Sequence, residues 1–364
     1  MSPGHASSTV FPATAVAPAS ASAATAFVPP ARPAALVAPG HGFSRGWVVT
    51  LAVVALLAIG IAFVAKGFQL FQASMVLSYA VALLGLNILT GYNGQISLGH
   101  GAFYAIGAYT TAILMEHAGL PYWVTVPAAA IVCLLVGYVF GRPALKLEGL
   151  YLALATFALG VAMPQLLKYK HLEAWTGGVQ GIVLMKPDAP FGLPLSADQW
   201  LYLFALVVTA VMFVIAHKLL QSGTGRAMRA IRDQPLAAQA MGIDIKHCKS
   251  MTFGVSAAYT GVGGALSAIT VQFVAPDSFT LFLSISLLVG IVIGGVGTLW
   301  GAIFGAVFIM FVPSLAEKVS QAAPWAIYGV VLIVITFAMP GGVVGLLRKL
   351  QGRAAKSALA KDPT

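Results

Sequence analysis

Long intervals without charged residues constrain this chain more than any other feature. Residues 67–115 contain no Lys, Arg, Asp or Glu, and neither do residues 278–316. A helix needs about 20 apolar residues to cross a bilayer, and an ionisable side chain at the bilayer centre is costly. Only 8% of all residues are charged, against roughly a quarter in soluble domains. The sequence therefore predicts an all-α polytopic membrane protein.

The charge-free intervals predict about ten transmembrane helices, some of them short and interrupted by glycines. The uncharged interval 67–115 suits two spans, near residues 71–89 and 99–114, and residues 278–316 suit two short spans. The intervals that suit one span each are residues 46–65, 117–141, 149–167, 199–217, 250–276 and 319–347.

The basic residues predict the orientation of these spans. Lys and Arg concentrate in a central loop, residues 218–249, and in the tail, residues 348–364. Loops rich in Lys and Arg remain cytoplasmic, so both segments and the N-terminus are expected inside and residues 168–198 outside. The formal net charge of +10 thus reflects membrane topology, and no nucleic-acid partner is expected.

The composition divides the chain into three parts. Residues 1–46 are rich in Ala, Pro, Ser and Thr without a continuous apolar core, which predicts a disordered extension. Residues 47–347 form the predicted transmembrane domain in the bilayer, and residues 348–364 form the basic cytoplasmic tail.

The central loop contains a helix, a break and a second short helix. Arg226, Arg229 and Arg232 have helical spacing, Pro235 suits the first turn of a new helix after a cap-type Asp233, and Gly242 can end it. The apolar side chains of the second helix cannot be covered by their own loop, which indicates a partner protein. These apolar residues are Leu236, Ala240 and Met241. A basic loop that only fixes the orientation remains the alternative.

Two glycine-rich stretches interrupt the apolar runs, at residues 91–101 and 294–306. Glycine-rich, polar backbone is tolerated near membrane depth only where protein or a water-filled cavity covers it. Paired interruptions of this kind point to a substrate pathway between two halves, although close helix packing also explains many of the glycines. The candidate pathway residues are Asn87, Asn93, Gln95, Ser97 and His100.

The residues that are missing also restrict the function. The predicted spans contain no Asp or Glu for an ion relay, which leaves His100 as the main titratable candidate. The chain has no phosphate-binding G-x-x-x-x-G-K-[ST] loop, and no cluster of catalytic or metal-binding residues is evident. We expect neither a cofactor nor enzymatic activity. A passive channel and an ion-coupled carrier are the alternatives to an externally powered permease.

Three blocks of sequence resemble the branched-chain amino acid ABC importers, in the LivM-like branch of their permeases. The blocks are LTGYNGQISLGHGAFYAIGAY (89–109), TGGVQGI (176–182) and RAMRAIRDQPLAAQAMGIDIKHCKSMTFGVSAAYTGVGGAL (226–266). The importer loop motif is Glu-Ala-Ala, three variable residues and Gly. Ala237, Ala238 and Gly242 match this motif, while Leu236 occupies the Glu position.

The resemblance implies the partners and the location of the chain. It implies a second, LivH-like permease, two ATP-hydrolysing subunits below the loops and a soluble substrate-binding protein outside. It also implies a bacterial inner membrane. In this family the loop transmits the motion of the ATPase pair to the spans, a switch between outward and inward access.

Overall fold

The computed structural model describes residues 58–144, 149–190 and 194–319, Leu56, and short stretches between residues 329 and 349. The predicted extension 1–46, parts of the first and last predicted spans, and the tail except Lys349 lie outside the described residues. The regular secondary structure of the described part is helical apart from one two-stranded antiparallel sheet.

Eleven α-helices follow one another in the described residues. They are α1 (Gly67–Asn87), α2 (His100–Glu116), α3 (Tyr122–Ala144), α4 (Leu150–Leu167), α5 (Glu173–Thr176), α6 (Ala197–Gln221), α7 (Gly223–Asp233), α8 (Pro235–Ala240), α9 (Ile245–Val271), α10 (Leu281–Gly294) and α11 (Gly301–Val319). A π-helical turn, Ile88–Tyr92, extends α1, and a 3-10 turn, Pro276–Phe279, precedes α10. The strands are β1 (Ile182–Val183) and β2 (Phe273–Val274), paired in antiparallel register.

Six of the helical segments are long and apolar enough to cross a membrane. They are Gly67–Tyr92, Tyr122–Pro143, Leu150–Leu167, Ala197–Gln221, Ile245–Val271 and Gly301–Lys318; α10 is apolar but shorter. The predicted all-α polytopic architecture is confirmed. Helices occupy eight of the ten predicted intervals, and the first and last intervals fall largely outside the described residues.

Helix α9 is the centre of the packing. Its side chains from Ser256 to Ala268 are all buried, and α1, α2 and α3 pack around it. Small residues permit this close approach, because packing rather than hydrophobicity drives helix association in a bilayer. A methyl group on Gly107 of α2, for example, would collide with the backbone of Gly261 in α9.

Different loops of the chain lie at the two ends of the helical bundle. At one end, Lys168 pairs with Asp277 and Lys186 pairs with Asp198, beside the β1–β2 sheet. At the other end, the loop helix α7 contacts the first glycine-rich break, and α8 follows it. The basic loop predicted to be cytoplasmic and the loop predicted to be external therefore lie at opposite ends of the described helices.

Candidate functional site

The first break follows α1. The helix widens into the π turn, and residues 94–99 are non-helical before α2 begins at His100. Gly94 has a φ of +72°, a conformation that glycine adopts without steric cost. The broken segment predicted at residues 91–101 is confirmed.

The second break joins α10 to α11 and lies against the first. Asn87 connects the two, because its Nδ2 donates to the Thr298 carbonyl at 2.7 Å and its Oδ1 accepts from the Gly297 amide at 2.8 Å. These bonds satisfy both ends of one buried amide with backbone groups of the other break. Gly91 is in close contact with Gly297 at the same point. The two interruptions thus form one junction.

His100 joins three helices within the membrane domain. Its Nδ1 lies 2.8 Å from Ser97 Oγ, and its Nε2 lies 2.7 Å from Ser256 Oγ in α9. Ser256 Oγ donates its own proton to the Gly85 carbonyl in α1 at 2.7 Å, so it accepts from His100 Nε2. Nδ1 then accepts from Ser97. This is the bonding pattern of a neutral imidazole, and it anchors the start of α2 to α1 and α9.

Gln95 and Asn93 complete the first break. Gln95 Nε2 donates to the Lys249 carbonyl at 3.4 Å, at the start of α9. Asn93 is only 2% exposed, yet neither its Oδ1 nor its Nδ2 has a hydrogen-bond partner among the described residues. All five predicted pathway residues are buried in this conformation. Their role in translocation stays a prediction.

The loop has the predicted helix, break and second helix. Helix α7 buries Met228 and Ile231, while α8 begins at Pro235 and is followed by Gly242 at a φ of +82°. The expected cap is different. Asp233 is the last residue of α7 and α8 starts at Pro235, so Gln234 occupies the capping position and makes no side-chain cap. The Asp233 carboxylate instead accepts a 2.9 Å bond from Arg232 Nε.

The short helix α8 exposes the apolar residues predicted to face a partner. Leu236 is 81% exposed and Met241 is 84% exposed, and Ala237 also faces outward. Ala238 is buried against the permease body. Ala238 is thus the one residue of α8 that is buried, and the rest of the helix is exposed.

The three arginines of α7 have different partners. Arg226 and Arg229 donate to the carbonyls of Gln221 and Leu220, within the loop. Arg232 Nη1 instead donates to the Gly91 carbonyl at 2.7 Å, in the first break. The loop therefore contacts the junction directly.

Sequence reasoning missed several residues of this site. Ser256 and Thr298 lie in runs of small residues that indicate only close packing, and Thr156 Oγ1, which accepts from the Leu98 amide at 2.9 Å, lies in an apolar run. For Ser256 and Thr156 the only local signal was a hydroxyl in a buried helix, which usually bonds its own backbone. Thr298 contributes a backbone carbonyl, which its residue type does not reveal.

Comparison with known proteins identifies the family. Residues 68–339 match the model of the branched-chain amino acid transport system permease component. The chain belongs to this permease family. It is 31% identical over 335 residues to the high-affinity branched-chain amino acid transport system permease protein LivM of Escherichia coli, covering 84% of this chain and 78% of that protein. LivM of Salmonella typhimurium matches equally, at 31% over 335 residues.

Permeases named LivH also match, more distantly. A probable branched-chain amino acid transport permease protein LivH of Methanocaldococcus jannaschii is 22% identical over 294 residues, covering 76% of this chain and 92% of that protein. As a member of this permease family the chain is a transporter component and not an enzyme. The glycine-rich junction and the loop both lie within the matched residues.

Proposed function

We propose that this permease is one of two membrane subunits of an ATP-driven importer of branched-chain or related amino acids. Its partner would be a LivH-like permease, and a substrate-binding protein would deliver the solute from outside. The similarity to both LivM and LivH proteins supports a pair of related permeases. The chain is more similar to LivM than to LivH, which favours the LivM-like role in the pair.

The exposed face of α8 is the observation that carries the proposal. Leu236 in α8 and Met241 directly after it are exposed, while Ala238 is buried against the permease, at the end of the bundle where the basic loop lies. An exposed apolar helix face of this kind suits a groove on another protein. We assign this face to docking on one of two ATPase subunits in the complex. Arg226, Arg229, Arg232 and residues 236–242 would form the coupling element.

The membrane topology belongs to the same proposal. Ten spans would place both termini and residues 218–249 in the cytoplasm of a bacterium, and residues 168–198 outside its inner membrane. The opposite locations of these two loops in the bundle support this arrangement. The pathway would follow the junction of the two breaks, past Asn87, Asn93, Gln95, Ser97 and His100.

Reconstitution tests the proposal. The permease pair, the ATPase subunits and the binding protein would be incorporated into vesicles, and uptake of radiolabelled leucine would be measured with ATP on the cytoplasmic face. Uptake should require ATP and should not respond to a pH or sodium gradient. A complex whose ATPase subunits lack the phosphate-loop lysine is the control. Gradient-driven uptake without ATP would refute the proposal.

A further inference from the structure

Arg232 differs from the other loop arginines in the direction of its contact. Arg226 and Arg229 bond carbonyls of the adjoining helix end, whereas Arg232 reaches a carbonyl 141 positions away in the chain. Its Nε is held by Asp233, which leaves Nη1 directed at Gly91. The guanidinium is thus oriented by one bond and joined to the first break by the other.

Both breaks are adjacent to this guanidinium. A methyl group on Gly94 would lie 2.9 Å from Arg232 Cγ, and one on Gly297 would lie 3.8 Å from Arg232 Nη1 and 3.5 Å from the Gly91 carbonyl. The absence of a side chain at Gly94 lets the arginine approach the backbone, whereas a methyl group at Gly297 would make only ordinary contacts. Arg232 therefore joins α7 to the point where the two broken helices meet.

The bonding of Asn93 is a second, independent observation. Asn93 lies in the chain between Gly91 and Gly94, the two residues that Arg232 contacts, and its side chain is buried without a protein hydrogen-bond partner among the described residues. A buried amide without partners costs free energy. A rearrangement of residues 91–95 that gave Asn93 a hydrogen-bond partner would recover this free energy.

We infer that Arg232 is a positioning residue that couples the loop to the junction of the breaks, rather than a contact for the ATPase subunits. It holds residues 91–95 in the present arrangement, and displacement of α7 releases them. This inference rests on the proposed function. It assigns docking to Leu236 and Met241, which are exposed, and transmission to Arg232, which faces the permease.

The test compares Arg232→Gln with wild type in the complete reconstituted importer. Three quantities are measured: the ATPase subunits that copurify, the rate of ATP hydrolysis, and the amount of leucine imported per ATP. We expect the ATPase subunits to copurify normally, while maximal uptake and leucine per ATP fall about tenfold, the change expected from a lost charge-assisted hydrogen bond. The concentration of binding protein giving half-maximal uptake should not change. Arg232→Lys, which retains a donor, should recover part of the loss.

Two further variants make the result decisive. Arg142→Gln removes an arginine at the end of α3, where it bonds Tyr138 of its own helix, and should leave leucine per ATP unchanged. Asp233→Ala removes only the exposed carboxylate that bonds the Arg232 guanidinium, and it should also lower leucine per ATP. This variant tests the inference even if Arg232→Gln fails to accumulate.

Two outcomes would overturn the inference. One is wild-type leucine per ATP in Arg232→Gln, or in Asp233→Ala if the first variant is not produced. The other is loss of the ATPase subunits from the purified complex, which would make Arg232 a docking residue. Failure of the proposed function looks different, because the wild-type complex itself would then import leucine without ATP.

Discussion

Arg232 Nη1 donates a 2.7 Å hydrogen bond to the carbonyl of Gly91, and this bond connects the basic loop to the first broken helix. The acceptor is a backbone group in a π-helical turn, where the regular helical ladder is interrupted. The arginine side chain is 38% exposed, so solvent screens its electrostatic interactions. The geometry of the contact therefore contributes more to its effect than the charge does. The predictions below concern the two sides of this contact.

The substitution Gly91→Ala should disrupt the junction. Its methyl group would overlap Asn87 Oδ1 and lie 2.5 Å from the Gly297 amide, at the bond that joins the breaks. Overpacking of this kind costs about 1–3 kcal/mol. We expect reduced leucine uptake with the permease still present in the membrane. Gly345→Ala, where a methyl group meets no atom within 4 Å, is the matched control and should resemble wild type.

Substitution of the two asparagines by leucine should have opposite effects on stability. Asn93→Leu removes a buried amide without partners and should raise the unfolding temperature of the purified complex, while slowing uptake because one arrangement of residues 91–95 becomes favoured. Asn87→Leu leaves Gly297 and Thr298 without their partner and should destabilise by about 1–3 kcal/mol. Thermal unfolding with parallel uptake assays measures both. A lower unfolding temperature for Asn93→Leu would contradict the conclusion that the buried Asn93 amide lacks a hydrogen-bond partner.

The sequence predicted those helix ends and breaks that are marked by residues at the same positions. Pro235 and Gly242 mark the ends of α8 because each residue restricts or permits particular backbone angles. The breaks were predictable for the same reason, since glycines and polar groups concentrate there. Asp233 was misassigned as a cap because α7 continues to Asp233 itself, which leaves Gln234 as the residue before α8.

The contacts that build the site could not be predicted in this way. Asn87 and Gly297 are 210 positions apart, and their bond depends on how α1, α10 and α11 pack. The periodicity of α7 identified its apolar side, but not that Arg232 would reach the permease while Arg226 bonds its own loop. Hydrogen bonds between distant segments are decided by packing, which one sequence does not display.

Cysteine labelling should establish the sides of the membrane. The native Cys133 and Cys248 are buried, so they should react little with a membrane-impermeant maleimide. Met185→Cys lies on an exposed site of the 168–198 loop and should react in intact cells. Lys246→Cys, at an exposed position in the first turn of α9, should react only after the inner face is opened. The reverse pattern would show that the proposed orientation is wrong.

The substitution Gly242→Val should impair coupling without removing the permease from the membrane. Gly242 has a φ of +82°, and a side chain there costs about 1–2 kcal/mol in backbone strain. A methyl group at this position meets no other atom within 4 Å, so strain rather than collision is the expected cause. Unwinding after Ala240 would displace Met241 and tilt Leu236, the two exposed residues assigned to ATPase docking.

Gly119→Val separates this effect from backbone strain in general. Gly119 also has a positive φ, +60°, and free space around its Cα, but it lies in the turn between α2 and α3, away from the loop. Permease amount, copurified ATPase and binding-protein-stimulated ATP hydrolysis are measured for both variants. We expect Gly242→Val alone to lose stimulation, by a factor of about 5–30 for 1–2 kcal/mol. Wild-type stimulation and uptake in Gly242→Val would mean that the loop acts only as a topological anchor.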